Sequence, residues 1–283
     1  MSKSGSAKDL KNEPLTKDDI LLYAKEQSGF TFEMEILRMV TESCGPGKTK
    51  WGGLYCDPNT KKQREFDIET EKALTRDQRV ELAIECKHLS ENCPLVIFCT
   101  HRTEKETVMS RLKWIDHPRT PQYSHYALET GKSYEFYPTE KYVGRSLKQI
   151  GKDSQNGLKS IKGDSEIYDK WSQALSSLHN MIKDVLQHGT SGEMPQVLFL
   201  PIVVVPDKTL WQVKYTDNGV LDGEPEQVDS IDYWVGVSYR FQGMFEELNF
   251  QISHLHFLTK TGLQALIDKD DRLYKAFDTL FIK

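Results

Sequence analysis

Apolar residues recur along the chain at two periods, and the change between them marks out the elements. Thr16 to Gln27 predicts a short helix, because Thr16 and Asp19 have capping-box spacing, and Gly29 then interrupts it. From Phe30 to Ser43, Phe32, Ile36, Met39 and Val40 keep helical spacing until Cys44-Gly45-Pro46-Gly47, predicting a second helix. The period then falls to two. Trp51 to Asp57 predicts a first core strand, closed by the turn Asp57-Pro58-Asn59-Thr60; Arg64 to Glu69 and Val80 to Lys87 predict two more. Leu95-Val96-Ile97-Phe98-Cys99 is continuously apolar, as in a strand covered on both faces.

Residues 101–138 mix charge, proline (Pro118, Pro121) and aromatic residues, and are compatible with an insertion or a loop-rich cap. Val143, Leu147, Ile150, Leu158 and Ile161 predict a helix over Lys141 to Ile161. A stronger helix is expected over Glu166 to Gln187, where Ile167, Trp171, Leu175, Leu178 and Ile182 share a face and Gly189 caps the end. Strands return at Val197 to Val205, Leu210 to Tyr215, Tyr233 to Tyr239 and Phe250 to Phe257, before an amphipathic helix from Leu263 to Phe281. The pattern specifies an α/β protein: a mixed central sheet flanked by helices, with additional strands and a helix at the C-terminal end. Met1 to Pro14 reads as a disordered lead-in, and 15–283 as one domain.

The chemistry concentrates between residues 64 and 89. Asp67 ends one short strand-like run, and Glu85 and Lys87 end another, sharing one face because side chains alternate along a strand. If the two strands pair, two carboxylates and an amine meet at one point. That set suits a divalent metal, since magnesium takes one or two carboxylates and fills its octahedron with water and phosphate oxygens. Bound metal acidifies a coordinated water, and a nearby lysine can orient that water.

Arg64-Glu65-Phe66-Asp67-Ile68 followed by Ala83-Ile84-Glu85-Cys86-Lys87 resembles the core of the PD-(D/E)xK nuclease superfamily, the restriction-endonuclease-like fold. Phe66 stands where many members carry proline. The resemblance covers residues 28 to 100 and fades beyond 150. It implies Asp67 and Glu85 as metal ligands, with the Cys86 carbonyl as a further oxygen, and Lys87 as the residue that positions water. Gly29-Phe30-Thr31-Phe32-Glu33 is similar to a helix that precedes the family's core strands, which implies a site role for Glu33, with Glu35 as the nearby alternative. A polar residue on a helix after the core strands is a further family trait, and it points to Gln149. The implied activity is Mg2+-dependent endonuclease cleavage of DNA, with Mn2+ able to substitute, in prokaryotic defence. A structure-specific or RNA-cutting nuclease of repair or recombination, and a non-catalytic nucleic-acid-binding subunit, are the alternatives.

Composition narrows this picture without replacing it. Hydrophobic content of 38% with 28% charged residues describes a water-exposed globular chain, and no apolar run approaches the roughly 20 residues of a membrane helix. Five cysteines without CxxC spacing are expected to be buried free thiols in a cytoplasmic protein. A net charge of −5 disfavours a broad cationic coat. Local patches can still hold phosphates: Lys48 with Lys50, Lys61-Lys62 with Arg64, and Lys141, Arg145, Lys148 and Lys152. The acidic balance makes a homodimer or a defence-system partner protein an expected aid to DNA binding. His254 and His256 share a strand face, but with no third ligand they read as surface or partly buried histidines. Gly45-Pro46-Gly47-Lys48-Thr49 mimics the end of a Walker A motif yet lacks its first glycine and preceding strand, which excludes an ATPase.

Overall fold

The computed structural model describes residues 13–162, 171–188, 196–268, 271–277 and 280–281. It is a mixed α/β structure built on one 14-stranded sheet with helices packed on its faces. Helix α1 (Lys17–Leu22) carries the expected capping box, Thr16 with Asp19, and continues into a π-helical turn at Tyr23–Gln27. Helix α2 (Gly29–Cys44) buries Phe32, Ile36, Met39 and Val40, the four residues whose spacing predicted it. Burying each such side chain contributes roughly 1.5–3 kcal/mol. Gly45, at φ 102°, ends the helix in a conformation open mainly to glycine.

Strand β1 (Thr49–Trp51) pairs antiparallel with β4 (Ile68–Ala73), which pairs antiparallel with β5 (Gln78–Cys86). Between β1 and β4 the chain forms a separate hairpin of β2 (Leu54–Cys56) and β3 (Gln63–Glu65). The strands expected at Trp51–Asp57 and Arg64–Glu69 are therefore each broken. Gly52, at φ 65°, makes the first break. Gly53 lies so close to Phe66 that a Cβ there would stand 2.4 Å from its ring. Phe66, buried against that glycine, fixes the chain immediately before Asp67.

The path returns through helix α3 (Gln173–His188) to β11 (Gln196–Val205), which runs parallel to β5 from Gln78↔Gln196 to Cys86↔Val204. Alternation along these strands separates two cores. Val80, Leu82, Ile84, Leu198, Leu200, Ile202 and Val204 pack toward α2. Ala83, Val197, Phe199, Val203 and Val205 pack toward Leu175, Leu178 and Ile182 of α3. Continuous apolar character in β11 follows from this double coverage. The start of the helix expected over 166–187, and its cap at Gly189, lie outside the described residues, as do residues 1–12 of the lead-in; Trp171 is core.

Beyond β11 the sheet continues through β15 (Glu247–Thr259), β14 (Ser230–Gln242), β9 (Tyr142–Lys152), β6 (Leu95–His101), β12 (Leu210–Lys214) and β13 (Glu226–Gln227). Residues 101–138 supply a hairpin of β7 (Val108–Ile115) and β8 (His125–Lys132), and β7 joins the other edge of β11 at Gln196–Leu198. The predicted helix over Lys141–Ile161 is absent. That stretch is β9 paired antiparallel with β10 (Leu158–Lys162), around a turn in which Asp153 Oδ1 accepts from the backbone N–H groups of Gln155 and Gly157. A four-residue spacing such as Val143 to Leu147 fits one helix face and also two strand repeats. Gly144, Gly151 and Asn156-Gly157 favour the second, because glycine weakens helices and Asn-Gly turns strands. The expected terminal helix is instead two shorter ones, α4 (Lys260–Asp268) and α5 (Asp271–Lys275), with β16 (Leu280–Phe281) beyond them.

His254 and His256 are fully buried rather than superficial. His256 Nδ1 lies 2.9 Å from Asp232 Oδ1, and its Nε2 lies 3.0 Å from the Tyr137 hydroxyl. Asp232 also accepts from Arg102 at 2.8 Å and Arg272 at 2.6 Å. This buried ion network ties β14, β15, α5 and the loop after β6 together, and it occupies both carboxylate oxygens of Asp232.

Candidate functional site

Asp67 stands immediately before β4, where the β1–β4 and β4–β5 ladders end. Its Oδ2 accepts the backbone N–H of Cys86 at 2.7 Å, in the place a ladder carbonyl would occupy had β4 begun earlier. On the other side of β5, Lys87 N–H donates to the Val204 carbonyl at 2.8 Å. Because successive residues of a strand direct their backbone groups to alternate edges, the N–H and carbonyl of Cys86 both face the Asp67 edge. The Asp67 carboxylate and the Cys86 carbonyl therefore share one notch at the end of β4.

Glu85 and Lys87 project from the face of β5 covered by α3, as alternation requires, while Cys86 packs partly into the opposite core. The Lys87 ammonium donates to Glu85 Oε1. Glu85 is 2% exposed. Burial, reinforced by the negative charges of Asp67 and Glu33, pushes its carboxyl up to about 7 despite Lys87. Asp67 is also raised by burial, with Lys87 and the Cys86 N–H opposing. Lys87 is raised, because Glu85 and Asp67 outweigh the cost of burying its charge. The Cys86 thiol is driven well above its ordinary value by burial and by the surrounding carboxylates, which keeps it protonated.

Glu33, on the first turns of α2, accepts a hydrogen bond from Trp51 Nε1 at 2.6 Å. Burial raises its carboxyl, and Asp67, Glu65 and Lys87 all lie close enough to influence it. Glu33 thus lies within the electrostatic reach of Asp67, Glu85 and Lys87, while its hydrogen bond goes to Trp51. Glu35 instead pairs with Lys260 of α4 at 2.9 Å. Gln149 stands apart. It sits on strand β9 rather than a helix, and its side-chain amide donates to the Cys93 carbonyl at 3.1 Å. Strand β9 is four positions from β5 in the sheet order, roughly 19 Å at ordinary interstrand spacing. Arg145, from the basic run beginning at Lys141, is committed to Glu106 and to Thr100 Oγ1 and takes no part.

Two residues passed over in the sequence belong to the site. Trp51 holds Glu33, and burial raises the phenol of Tyr55 on β2, with the nearby charges of Glu85, Asp57 and Asp67 adding to it. Their signal was weak: both fall in a short strand interrupted by Gly52-Gly53. The exposed Lys61-Lys62 pair tops the same β2–β3 hairpin, with Lys61 in the left-handed region at φ 58°.

Among the described residues no three His, Cys, Asp or Glu side chains are gathered into a ready metal cage. The donor set nevertheless fits a hard, water-rich cation. Asp67 and Glu85 carboxylates and the Cys86 carbonyl supply oxygen, and burial raises both carboxyls despite Lys87. Among the described residues no helix is long and apolar enough to cross a membrane. Compared with known proteins, the chain matches no family model, no curated protein and no solved structure.

Proposed function

We propose that this protein is a Mg2+-dependent endonuclease of the PD-(D/E)xK kind, hydrolysing phosphodiester bonds of DNA. The observation that carries the reading is the Asp67 carboxylate hydrogen-bonded to the Cys86 N–H, which draws it onto the Glu85-Cys86-Lys87 segment. Support also comes from chain order: helix α2 and the antiparallel β1–β4–β5 set come first, and after the intervening strands β6 to β10 helix α3 leads to β11, which pairs parallel with β5. This gives the helix, strands, helix and strand expected for a restriction-endonuclease-like core, with an insertion between its halves. A role in prokaryotic defence is proposed by analogy with that family alone.

In this reading Asp67, Glu85 and the Cys86 carbonyl hold the cation, with Glu33 in its surroundings. Magnesium, when bound, supplies an acidified water and neutralises charge on the scissile phosphate. Lys87 keeps its proton through the neutral range, so its ammonium orients the attacking water and faces the phosphate oxygens as they gain charge. Lys61 and Lys62 offer contacts to the flanking backbone phosphates.

The test is cleavage of supercoiled plasmid with Mg2+ or Mn2+, followed across pH. The buried carboxyl of Glu85 releases its proton near pH 7, and a cation must displace that proton below it. Cleavage at limiting metal should therefore fall about tenfold per pH unit below about 7 and level off above. Burial sets the sign by holding the proton on Glu85, with Lys87 opposing and Asp67 and Glu33 adding to it. A rate that climbs as pH falls would count against Glu85 as a ligand.

A further inference from the structure

Beside the Asp67 notch stand two large aromatic side chains left in water, Phe30 at 56% exposure and Trp51 at 47%. Their ring centroids are 6.1 Å apart and their planes are tilted by 57°, so neither ring covers the face of the other. Isolated exposed aromatics need no explanation; a neighbouring pair held in place beside a charged site does. Trp51 is held by two constraints: its backbone is the last rung of the β1–β4 ladder, opposite Ile68, and its indole N–H donates to Glu33 at 2.6 Å. Ile68 directly follows Asp67, so Trp51 stands one interstrand spacing, about 4.8 Å, from the strand that presents Asp67.

Strand β1 begins the described sheet order, and its Lys50 alternates to the face opposite Trp51, beside Glu69 and Glu81, so the aromatic pair has its own face. Free aromatic faces bind a nucleic-acid strand by stacking on its bases. A duplex keeps its base faces covered by their neighbours. A ring can stack only on a base that is unpaired or unstacked.

We infer that Phe30 and Trp51 form a stacking platform for unpaired bases beside the candidate cleavage site, making single-stranded or locally opened nucleic acid the preferred substrate. The inference rests on the nuclease reading for its account of the neighbouring site. Phe30 and Trp51 set which strand is presented, while Glu33, fixed by the Trp51 indole, couples that platform to the carboxylate cluster.

The experiment measures fluorescence anisotropy of labelled oligothymidylate, and of a labelled duplex, on the full chain with EDTA present. Wild type is compared with Phe30→Ala, Trp51→Ala and Trp51→Phe, each checked by circular dichroism. Plasmid and oligonucleotide cleavage with Mg2+ is measured in parallel. Each alanine variant should weaken oligothymidylate binding about tenfold and leave duplex binding unchanged, while Trp51→Phe keeps most of the affinity. Phe30→Ala serves as the arm that does not touch Glu33. Equal binding of oligothymidylate by the wild type and Phe30→Ala, or tighter binding of duplex than of single strand by the wild type, would overturn the inference. If aromatic-dependent binding is found without cleavage, the platform stands and the nuclease reading fails; if cleavage is found without aromatic dependence, the reverse holds.

Discussion

Lys87→Ala is expected to lose at least about a hundredfold in cleavage rate while the protein remains folded, since removing one charge-stabilising donor at a reacting centre costs about that much or more. Lys87 is the cation in direct contact with Glu85 and the positive group that lowers the Asp67 carboxyl. Without it, Glu85 has a pathway back to neutrality: its carboxyl, already raised to about 7, rises further and takes up a proton near neutral pH. Fold loss is therefore not the expected cause of inactivity. Thermal unfolding followed by circular dichroism, beside single-turnover cleavage, separates the two. A folded Lys87→Ala that cuts at the wild-type rate would remove Lys87 from the mechanism.

Asp232→Ala should have the largest effect on stability. Its carboxylate is the shared partner of Arg102, Arg272 and His256, and the Arg102 side chain is wholly buried. Removing the anion leaves buried positive charge uncompensated, at a cost of about 3–5 kcal/mol, a large fraction of the 5–15 kcal/mol that typically holds a protein folded. Burial alone would raise Asp232, yet Arg272, His256 and Arg102 together hold it well below the ordinary carboxylate range. A depressed carboxyl contributes its stability above the unfolded value of 3.8 and loses it as pH falls through the lower folded value. Urea unfolding should show a much lower midpoint for Asp232→Ala at pH 7, and the gap to wild type should close in strong acid. A midpoint within experimental error of wild type at pH 7 would mean that the network is not stabilising.

The halves of the chain differ in how clearly their residues announced them. Helix α2 and strand β11 were legible because their apolar residues satisfy only one period: Phe32, Ile36, Met39 and Val40 suit a helix, and Val197 to Val205 is too short and too uniformly apolar for anything but a covered strand. Strand β9 was misread because spacing of four serves both periods, and the deciding signals were glycines at 144 and 151 and the turn at Asn156-Gly157. Pairing between β4 and β5 brings Asp67 to the Glu85-Cys86-Lys87 segment; alternation anticipates the shared face of Glu85 and Lys87, and the meeting with Asp67 follows only once the strands pair. The place of Gln149 could not be anticipated, because it depends on a sheet order in which β9 lies beyond β11, β15 and β14. Long-range strand order leaves no local trace. The same holds for Trp51 and Tyr55, whose contacts with Glu33 and proximity to Glu85 arise only after Gly52-Gly53 breaks the strand.

In the proposed function Asp67 and Glu85 hold a divalent cation. Isothermal titration of Mn2+ into the wild type and into Asp67→Ala, at pH above 7, tests it most directly. Wild type should bind Mn2+ saturably and Asp67→Ala should lose about tenfold or more in affinity, since one of two carboxylate ligands is gone. No Mn2+ binding by the wild type, or equal binding by both proteins, would contradict it.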